Sequence, residues 1–327
     1  MKTMQLVRLA CAVTSVVISS ALAACGPASA QQFPSKEISI ITTVGPGSNF
    51  DQLARIFAKR LGEKLGVPVI VENVTGGQGI IATQRVLNAK SDGHTLLITG
   101  TGLATTPAVM KNAGYKAEDF VALAPLGQVP FILFVSSAVP ATDVPSMIEY
   151  MKANREDLNS GVLTTSHATV LLSRKFGKLA GGDLTEIGYR SSPEMLTGLL
   201  RNDIQMIATN YEIAAPHLAT GKIKAIGVVG EERTQSMPDL PTFKEKGYPL
   251  TINVWQMLFA KADLPAEIKE KIREASRDIV ADQDYIKAMR STVMEPWNIP
   301  FDSVQSVVET EAKAFVKDAQ DLNVKFD

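Results

Sequence analysis

Four short turns rich in glycine, serine and threonine are the parts of this sequence whose residue types suit ligand binding. They occupy residues 45–49, 76–79, 164–167 and 209–210, and each comes just before a predicted helix. The first N–H groups of a helix lack partners and carry about half a positive charge, so they can hold a carboxylate without a basic side chain. The chemistry that these turns favour is therefore the binding of a small anion.

Each turn can also be read as a plain helix cap, because Ser, Thr, Asn and Gly are favoured at helix starts in any case. In open α/β sheets, however, ligands bind beyond the carboxyl ends of the strands, where all four turns are expected. We therefore predict a ligand site made of turn residues, with one threonine added after the third strand. Its members are Gly47, Ser48, Asn49, Gly77, Gln78, Gly79, Thr101, Thr165, Ser166, His167 and Asn210.

Motifs for nucleotide binding and for catalysis are missing from the sequence. There is no G-x-x-x-x-G-K-[ST], no G-x-S-x-G, and Phe50 stands where G-x-G-x-x-G would need its third glycine. The histidines His94, His167 and His217 have no metal-ligand spacing, and of the three only His167 falls in a candidate turn. We predict a protein that is not an enzyme, with no catalytic residue, no metal and no cofactor.

The balance of charges and the position of the cysteines exclude further classes of protein. The 327 residues carry 33 Lys and Arg against 34 Asp and Glu, which argues against a nucleic-acid binder held by phosphate charge. Both cysteines, Cys11 and Cys25, fall within the first 30 residues. A chain that loses this segment can have no disulfide, thiolate metal site or cysteine nucleophile.

The N-terminal segment is predicted to be an export signal. A short basic region precedes an uncharged, apolar run over residues 9–24, which is too short to span a membrane. Two processing sites compete. Cleavage at a small-residue site would remove residues 1–30, whereas a lipoprotein signal over 1–24 would leave Cys25 as a lipidated first residue. Either way the protein is expected in a bacterial periplasm, soluble or anchored through Cys25.

Strand-like and helix-like segments alternate through the rest of the chain. Residues 38–41 are typical of a buried strand, and the helix predicted over 50–65 places Leu53, Phe57 and Leu61 on one face. This alternation is typical of βαβ units, in which helices cover both faces of a parallel sheet. The sequence therefore predicts an α/β fold.

The predicted units form two lobes without a long flexible linker, so the chain is expected to cross between the lobes within structured segments. Lobe one is predicted to hold residues 31–128 plus 232–327, and lobe two residues 129–231. Each lobe is expected to be a mainly parallel sheet flanked by helices.

Short motifs spread along the chain together resemble one known family. The motifs are FPSK at 33–36, VEN at 71–73, DGHTLL at 92–97, APHLATGKIKAI at 215–226 and MPDLPT at 237–242. They resemble YPSKP, VENRPGAGG, PDGYTLL, LPHIKAGKLRAL and LPDVPT of the substrate-binding proteins of tripartite tricarboxylate transporters, the Bug receptor family. The resemblance covers the chain from Phe33 to Asp327, and it is specific because the motifs occur together.

The resemblance implies a two-lobed periplasmic binding protein fold, type II-like, that closes on a small organic acid. Family receptors hold a ligand carboxylate mainly through backbone N–H groups and ordered waters at the first two turns. They deliver the acid to integral-membrane transporter subunits, so the implied partners are the acid and those subunits, with no nucleic acid and a monomeric receptor. Two alternatives stay open: a receptor that presents the acid to a sensor kinase, and an enzyme on the same fold.

Departures from the family pattern fall in the predicted turns. The family's PFPPGGSTD corresponds to residues 43–51, where Ser48 replaces a glycine and Phe50 a small residue. In the third turn His167 stands where the family has serine, and Thr209 replaces the aspartate of FDN. Because that aspartate could pair with an amino group, its loss argues against an amino-acid ligand at this position.

Overall fold

The described part of the chain begins after the predicted export signal. The computed structural model describes residues 33–110, 112–163, 167–292 and 294–322, so residues 1–30 and Cys25 lie outside it. Residues 33–35 belong to a separate N-terminal unit and contain a cis Phe33–Pro34 peptide bond. The second unit runs from Lys36 and contains both sheets. In the part that the structure describes, no helix is both long and apolar enough to cross a membrane.

Two five-stranded sheets are built from the described residues. Their strands are β1 Ile38–Thr42, β2 Val69–Asn73, β3 Thr95–Gly100, β4 Phe120–Val129, β5 Phe131–Ser136, β6 Asn159–Leu163, β7 Thr185–Tyr189, β8 Met206–Thr209, β9 Ile223–Val229 and β10 Val254–Lys261. The first sheet has the order β2-β1-β3-β10-β4, with β10 reversed. The second has the order β7-β6-β8-β5-β9, with β5 reversed. The prediction of an α/β fold with mainly parallel sheets is confirmed.

Ten α-helices flank these sheets among the described residues. They are α1 Asn49–Leu65, α2 Ile80–Leu87, α3 Gly102–Val109, α4 Val144–Ala153, α5 His167–Leu179, α6 Ser192–Arg201, α7 Tyr211–Leu218, α8 Ala266–Ala281, α9 Gln283–Arg290 and α10 Val304–Asp321. The sequence patterns do not predict β4, β6 or α3. Strand β4 contains a proline and a glycine, which are uncommon inside strands. Strand β6 begins with Asn-Ser-Gly, and α3 holds a glycine and a proline, residue types that weaken both kinds of element.

Helix α1 shows how the sequence sets the two ends of an element. Ser48 caps its start, since the Ser48 Oγ accepts the N–H of Asp51 at 3.2 Å. Gly66 ends the helix in the left-handed conformation with φ 73°, which glycine adopts without a Cβ clash. Leu53 and Phe57 lie on its buried face, as their spacing predicts. The start of α1 is thereby fixed directly behind the first predicted turn.

The strand order brings three predicted site segments to one edge of the first sheet. Strands β1, β2 and β3 are parallel neighbours, with Ile40 opposite both Val71 and Leu96. Their carboxyl ends therefore point the same way, and the segments that follow them lie side by side. This edge is where open α/β sheets bind ligands.

The chain passes between the two sheets at Pro130 and again across residues 230–253. The second crossing segment is hydrogen-bonded to the buried carboxylate of Glu295. This carboxylate accepts hydrogen bonds from the hydroxyl of Thr234 and, at 2.9 Å, from the hydroxyl of Ser236. The predicted residue limits of the two lobes stay a prediction.

Candidate functional site

The first turn is organised around Asp51, a buried carboxylate in the first turn of α1. Its Oδ2 accepts the N–H of Gly47 at 2.9 Å and the Nε of Arg55 at 3.1 Å. Its Oδ1 accepts the side-chain amide of Asn73 at 2.7 Å, and the same amide donates to the carbonyl of Val44 at 3.0 Å. Because Asn73 ends β2, these bonds tie the first turn to the neighbouring strand.

These contacts also stabilise the charge of Asp51. Burial on its own raises the pKa of the Asp51 carboxyl, but the hydrogen bonds from Arg55, Asn73 and Gly47 outweigh it and lower the pKa below its ordinary value. The N–H of Gly47 is thus engaged within the protein. The N–H of Asn49, at the start of α1, has no partner among the described residues.

The second turn is a run of left-handed backbone. Gly77, Gln78 and Gly79 have φ values of 54°, 53° and 92°. Successive N–H groups in such a turn form a concave surface that suits an anion. The N–H of Gly79 bonds to the carbonyl of Gly76 at 3.0 Å, whereas those of Gly77 and Gln78 meet no partner within the described chain. This turn therefore offers two backbone donors beside the start of α2.

The second turn packs at Gly79 against Thr43, which lies between β1 and the first turn. A Cβ placed on Gly79 would lie 3.1 Å from the Thr43 Cγ2, closer than ordinary van der Waals contact. The Thr43 hydroxyl shares a 3.0 Å hydrogen bond with that of Thr99 near the end of β3. Phe50, which replaces a small residue of the family, lies against Gly100, where a Cβ would come within 3.2 Å of its ring. The two turns and the end of β3 thus share one packed edge.

The two predicted turns of the second sheet are described only in part. Thr165 and Ser166 lie outside the described residues, and the structure describes His167 only as the first residue of α5. Asn210 directly precedes α7 and is buried, and its Oδ1 accepts a 3.4 Å hydrogen bond from the hydroxyl of Thr209. The roles of Thr165, Ser166, His167 and Asn210 in binding stay predictions.

A cavity of about 400 Å³ lies between elements of both sheets. Its walls come from the second turn, α3, α5, α10 and the segment before β10. Of the predicted site residues, Gln78 and Thr101 line this cavity, and Ala168, the neighbour of His167, lines it too. The other described candidates, which lie outside its lining, are Gly47, Ser48, Asn49, Gly77, Gly79 and Asn210. The volume is within the range of sites that hold small organic molecules.

Three charged side chains line the described walls of this cavity. Lys175 of α5 and Asp318 of α10 form an ion pair, with 2.6 Å between Nζ and Oδ2. Glu311, two turns earlier on α10, accepts hydrogen bonds from the Asn253 amide at 2.8 Å and from the Nε1 of Trp255. Burial raises the pKa of the Glu311 carboxyl in spite of both bonds. None of the three is predicted from the sequence. The two acids of α10 are seven residues apart and so lie on one helix face, a spacing from which they could have been predicted.

The remaining histidines lie in structural positions. His94 is buried, and its Nδ1 lies 3.2 Å from the Oδ1 of Asp92. His217 lies in the last turn of α7, where the helix dipole favours a cation. Within residues 33–110, 112–163, 167–292 and 294–322, no group of three His, Cys, Asp or Glu side chains could hold a metal ion.

Similarity to known proteins extends over most of the chain. The sequence model of the tripartite tricarboxylate transporter family receptor, TctC, matches residues 53–320. A UPF0065 protein of Bordetella pertussis is 30% identical over 282 residues, which cover 85% of this chain and 86% of that protein. A TctC solute binding protein from Polaromonas matches with a TM-score of 0.81 at 24% identity, over 88% of this chain and 99% of that one. A protein of R. palustris solved with adipate has a TM-score of 0.72 at 26% identity, over 89% and 98% of the two chains.

These matches confirm two predictions made from the sequence. The likeness to the Polaromonas structure confirms the two-lobed periplasmic binding protein fold. The family match covers far more than half of the chain, and the matched residues include the short motifs from VEN to MPDLPT. This chain belongs to the tripartite tricarboxylate transporter receptors, the Bug family of solute-binding proteins.

Proposed function

We propose that this protein is an exported receptor that captures a small organic carboxylate and delivers it to a tripartite tricarboxylate-type membrane transporter. One observation carries the proposal: the N–H donors of Asn49, Gly77 and Gln78, which have no partner in the described chain, follow neighbouring parallel strands. Donors of this kind bind an anion without a basic side chain. A carboxylate is the anion that the family's organic acids carry.

The electrostatics of the first turn favour this binding. Asn49 begins the 17-residue helix α1, whose N-terminus carries a partial positive charge. The negative charge of Asp51 lies in the same turn, but Arg55 neutralises it through the 3.1 Å bond to Oδ2. The dipole of α1 therefore acts on a bound carboxylate without a net opposing charge from Asp51.

The rest of the ligand is proposed to extend into the cavity. Gln78 belongs to the second turn and also lines the cavity, so it joins the donors to the space beyond them. The adipate seen in the R. palustris relative supports a carboxylic acid of this size. From the second sheet, we assign contacts with the ligand to Thr165, Ser166, His167 and Asn210.

Binding without catalysis is the proposed activity, because the family consists of receptors for substrates. The site as described combines backbone donors, hydroxyls and amides with the three charged side chains of the cavity, and it contains no cysteine. The proposed place of action is the periplasm, after removal of residues 1–30. A lipid anchor at Cys25 is not part of the proposal.

We expect organic acids, but not their amides, to stabilise the protein against heat. A ligand at about 100 times its Kd adds about 2.7 kcal/mol to the free energy of unfolding, which corresponds to a rise in Tm of roughly 4–5 °C for a chain of this size. The measurement is a thermal-shift screen in which each acid is paired with its amide, such as adipate with adipamide. An equal shift for both members of every pair, or no shift with any acid, would contradict the proposal.

A further inference from the structure

One wall of the cavity carries an acid that the proposed function does not use. Glu311 lies on α10 and faces the segment before β10. Its Oε1 accepts the Asn253 amide at 2.8 Å, and its Oε2 accepts the Nε1 of Trp255. Trp255 is fully buried and stacks on Trp297, with 6.2 Å between ring centroids. The carboxylate is therefore held in one orientation at the edge of the cavity.

We propose that Glu311 is a specificity-determining residue that selects carboxylic acids with a hydrogen-bond donor at their far end, an ammonium or a hydroxyl, over those with a second carboxylate. The inference rests on the proposed function, because it assumes that one carboxylate of the ligand is held by the N–H donors of Asn49, Gly77 and Gln78. It adds the chemistry of the opposite end of the ligand.

The charges around the cavity favour this selection. Lys175 is the cation on the described walls, and the 2.6 Å ion pair with Asp318 already engages it. Glu311 is thus left with two neutral donors and no cationic partner among the described lining residues. A second ligand carboxylate here would meet the like charge of Glu311, which is costly.

A hydrogen-bond donor at the far end of the ligand would be attracted to Glu311 and not repelled. Each carboxylate oxygen can accept more than one hydrogen bond, so Glu311 retains acceptor capacity after binding Asn253 and Trp255. Burial raises the pKa of Glu311, which means that its charge is incompletely compensated in the free protein. An ammonium or hydroxyl supplies that compensation. Since the carboxylate is already oriented, little order has to be gained on binding.

The apolar part of the cavity can hold the chain that links the two ends of such an acid. Leu171 of α5 and Phe315 of α10 line it, together with Ile252. Phe315 lies one turn beyond Glu311 on the same helix face. A short methylene chain can therefore pass along these side chains while its far end lies beside Glu311.

The test compares acids that differ only at the far end. Isothermal titration with the mature protein at pH 7.5 uses alkanoates, dicarboxylates, ω-hydroxy acids and ω-amino acids, each at chain lengths of four to six carbons. For at least one of the chain lengths, we expect the ω-hydroxy acid or the ω-amino acid to bind at least about tenfold more tightly than the diacid of the same length. Comparing the ω-hydroxy acids with the ω-amino acids shows whether Glu311 prefers a hydroxyl or an ammonium.

The variant Glu311→Gln keeps the shape of the side chain and removes its charge. In this variant the preference over the diacid should fall by about tenfold or more. The matched control is Glu309→Gln, the same change on the same helix outside the cavity lining, which should leave the ranking unchanged. If Glu311→Gln does not fold, the ranking in the wild-type protein decides alone.

The outcomes separate the inference from the proposed function. If no donor-tailed acid binds at least about tenfold more tightly than the diacid of the same length, the inference is overturned and the carboxylate receptor stays intact. A ranking that Glu311→Gln does not change also overturns the inference. If no acid of any kind binds, the proposed function fails and the inference fails with it.

Discussion

Replacing Gly79 with valine is expected to weaken the binding of carboxylic acids by about a hundredfold. Gly79 has a φ of 92°, which a β-branched residue cannot adopt without strain, and its Cβ would press on Thr43 at 3.1 Å. The change therefore displaces the second turn from the first and moves the donors of Gly77 and Gln78. Loss of a hydrogen bond to a charged group costs about 1.5–3 kcal/mol, or roughly tenfold to a hundredfold in Kd for each bond. The effect is measured by isothermal titration calorimetry with an acid that the wild-type protein binds.

The matched control for this variant is Gly181→Val. Gly181 follows α5, has a φ of 85°, and a Cβ there would meet nothing within 4 Å. The Gly181→Val variant has similar backbone strain but lies outside the site. It should therefore lower the stability of the protein and leave its affinity for the acid unchanged. Equal affinities for the two folded variants would contradict the role assigned to the second turn.

Asp51→Ala is expected to reduce the free energy of unfolding by about 3 kcal/mol, because it leaves the N–H of Gly47 and the amide of Asn73 without their acceptor. Arg55 also loses its partner at 3.1 Å. Urea denaturation at neutral pH measures the change. Asp284→Ala, an exposed acid in the first turn of α9, is the control, and a loss of similar size there would contradict the specific role of Asp51.

The effect of Asp51→Ala should depend on pH in a defined direction. The pKa of Asp51 is lower in the folded protein than its ordinary value of 3.8, so the charged form stabilises the fold. This contribution is complete well above about pH 4 and is lost as the pH falls through the lowered pKa. The difference in stability between the wild-type protein and Asp51→Ala should therefore shrink in acid. A constant difference from pH 7 to pH 3 would contradict the assignment.

The sequence allowed the prediction of elements whose signals are local. The spacing of Leu53 and Phe57, with Ser48 before them and Gly66 after them, defines α1 within one residue. The glycine-rich turn at 76–79 could likewise be found from composition alone. Such features depend on residues close together in the chain, so a single sequence carries them.

Contacts between distant residues could not be predicted in the same way. The approach of Gly79 to Thr43 and the bond from Asn73 to Asp51 depend on the pairing of β1 with β2, which composition does not specify. The ion pair of Lys175 with Asp318 joins two residues that are far apart in the sequence and lie on helices that flank different sheets. The cavity walls arise from such contacts, so only the structure brings their residues together.

The most direct test of the carboxylate site is to follow its backbone N–H groups by NMR. A deuterated, ¹⁵N-labelled sample is titrated with an organic acid that calorimetry shows to bind, and the amide resonances are recorded to saturation. We expect the amide protons of Asn49, Gly77 and Gln78 to move downfield and to rank among the largest shifts, because a carboxylate replaces water as their acceptor. The same titration should leave the amide of Gly181 unchanged. Saturation by the acid with no shift at Asn49, Gly77 and Gln78 would contradict the claim that these donors hold the ligand.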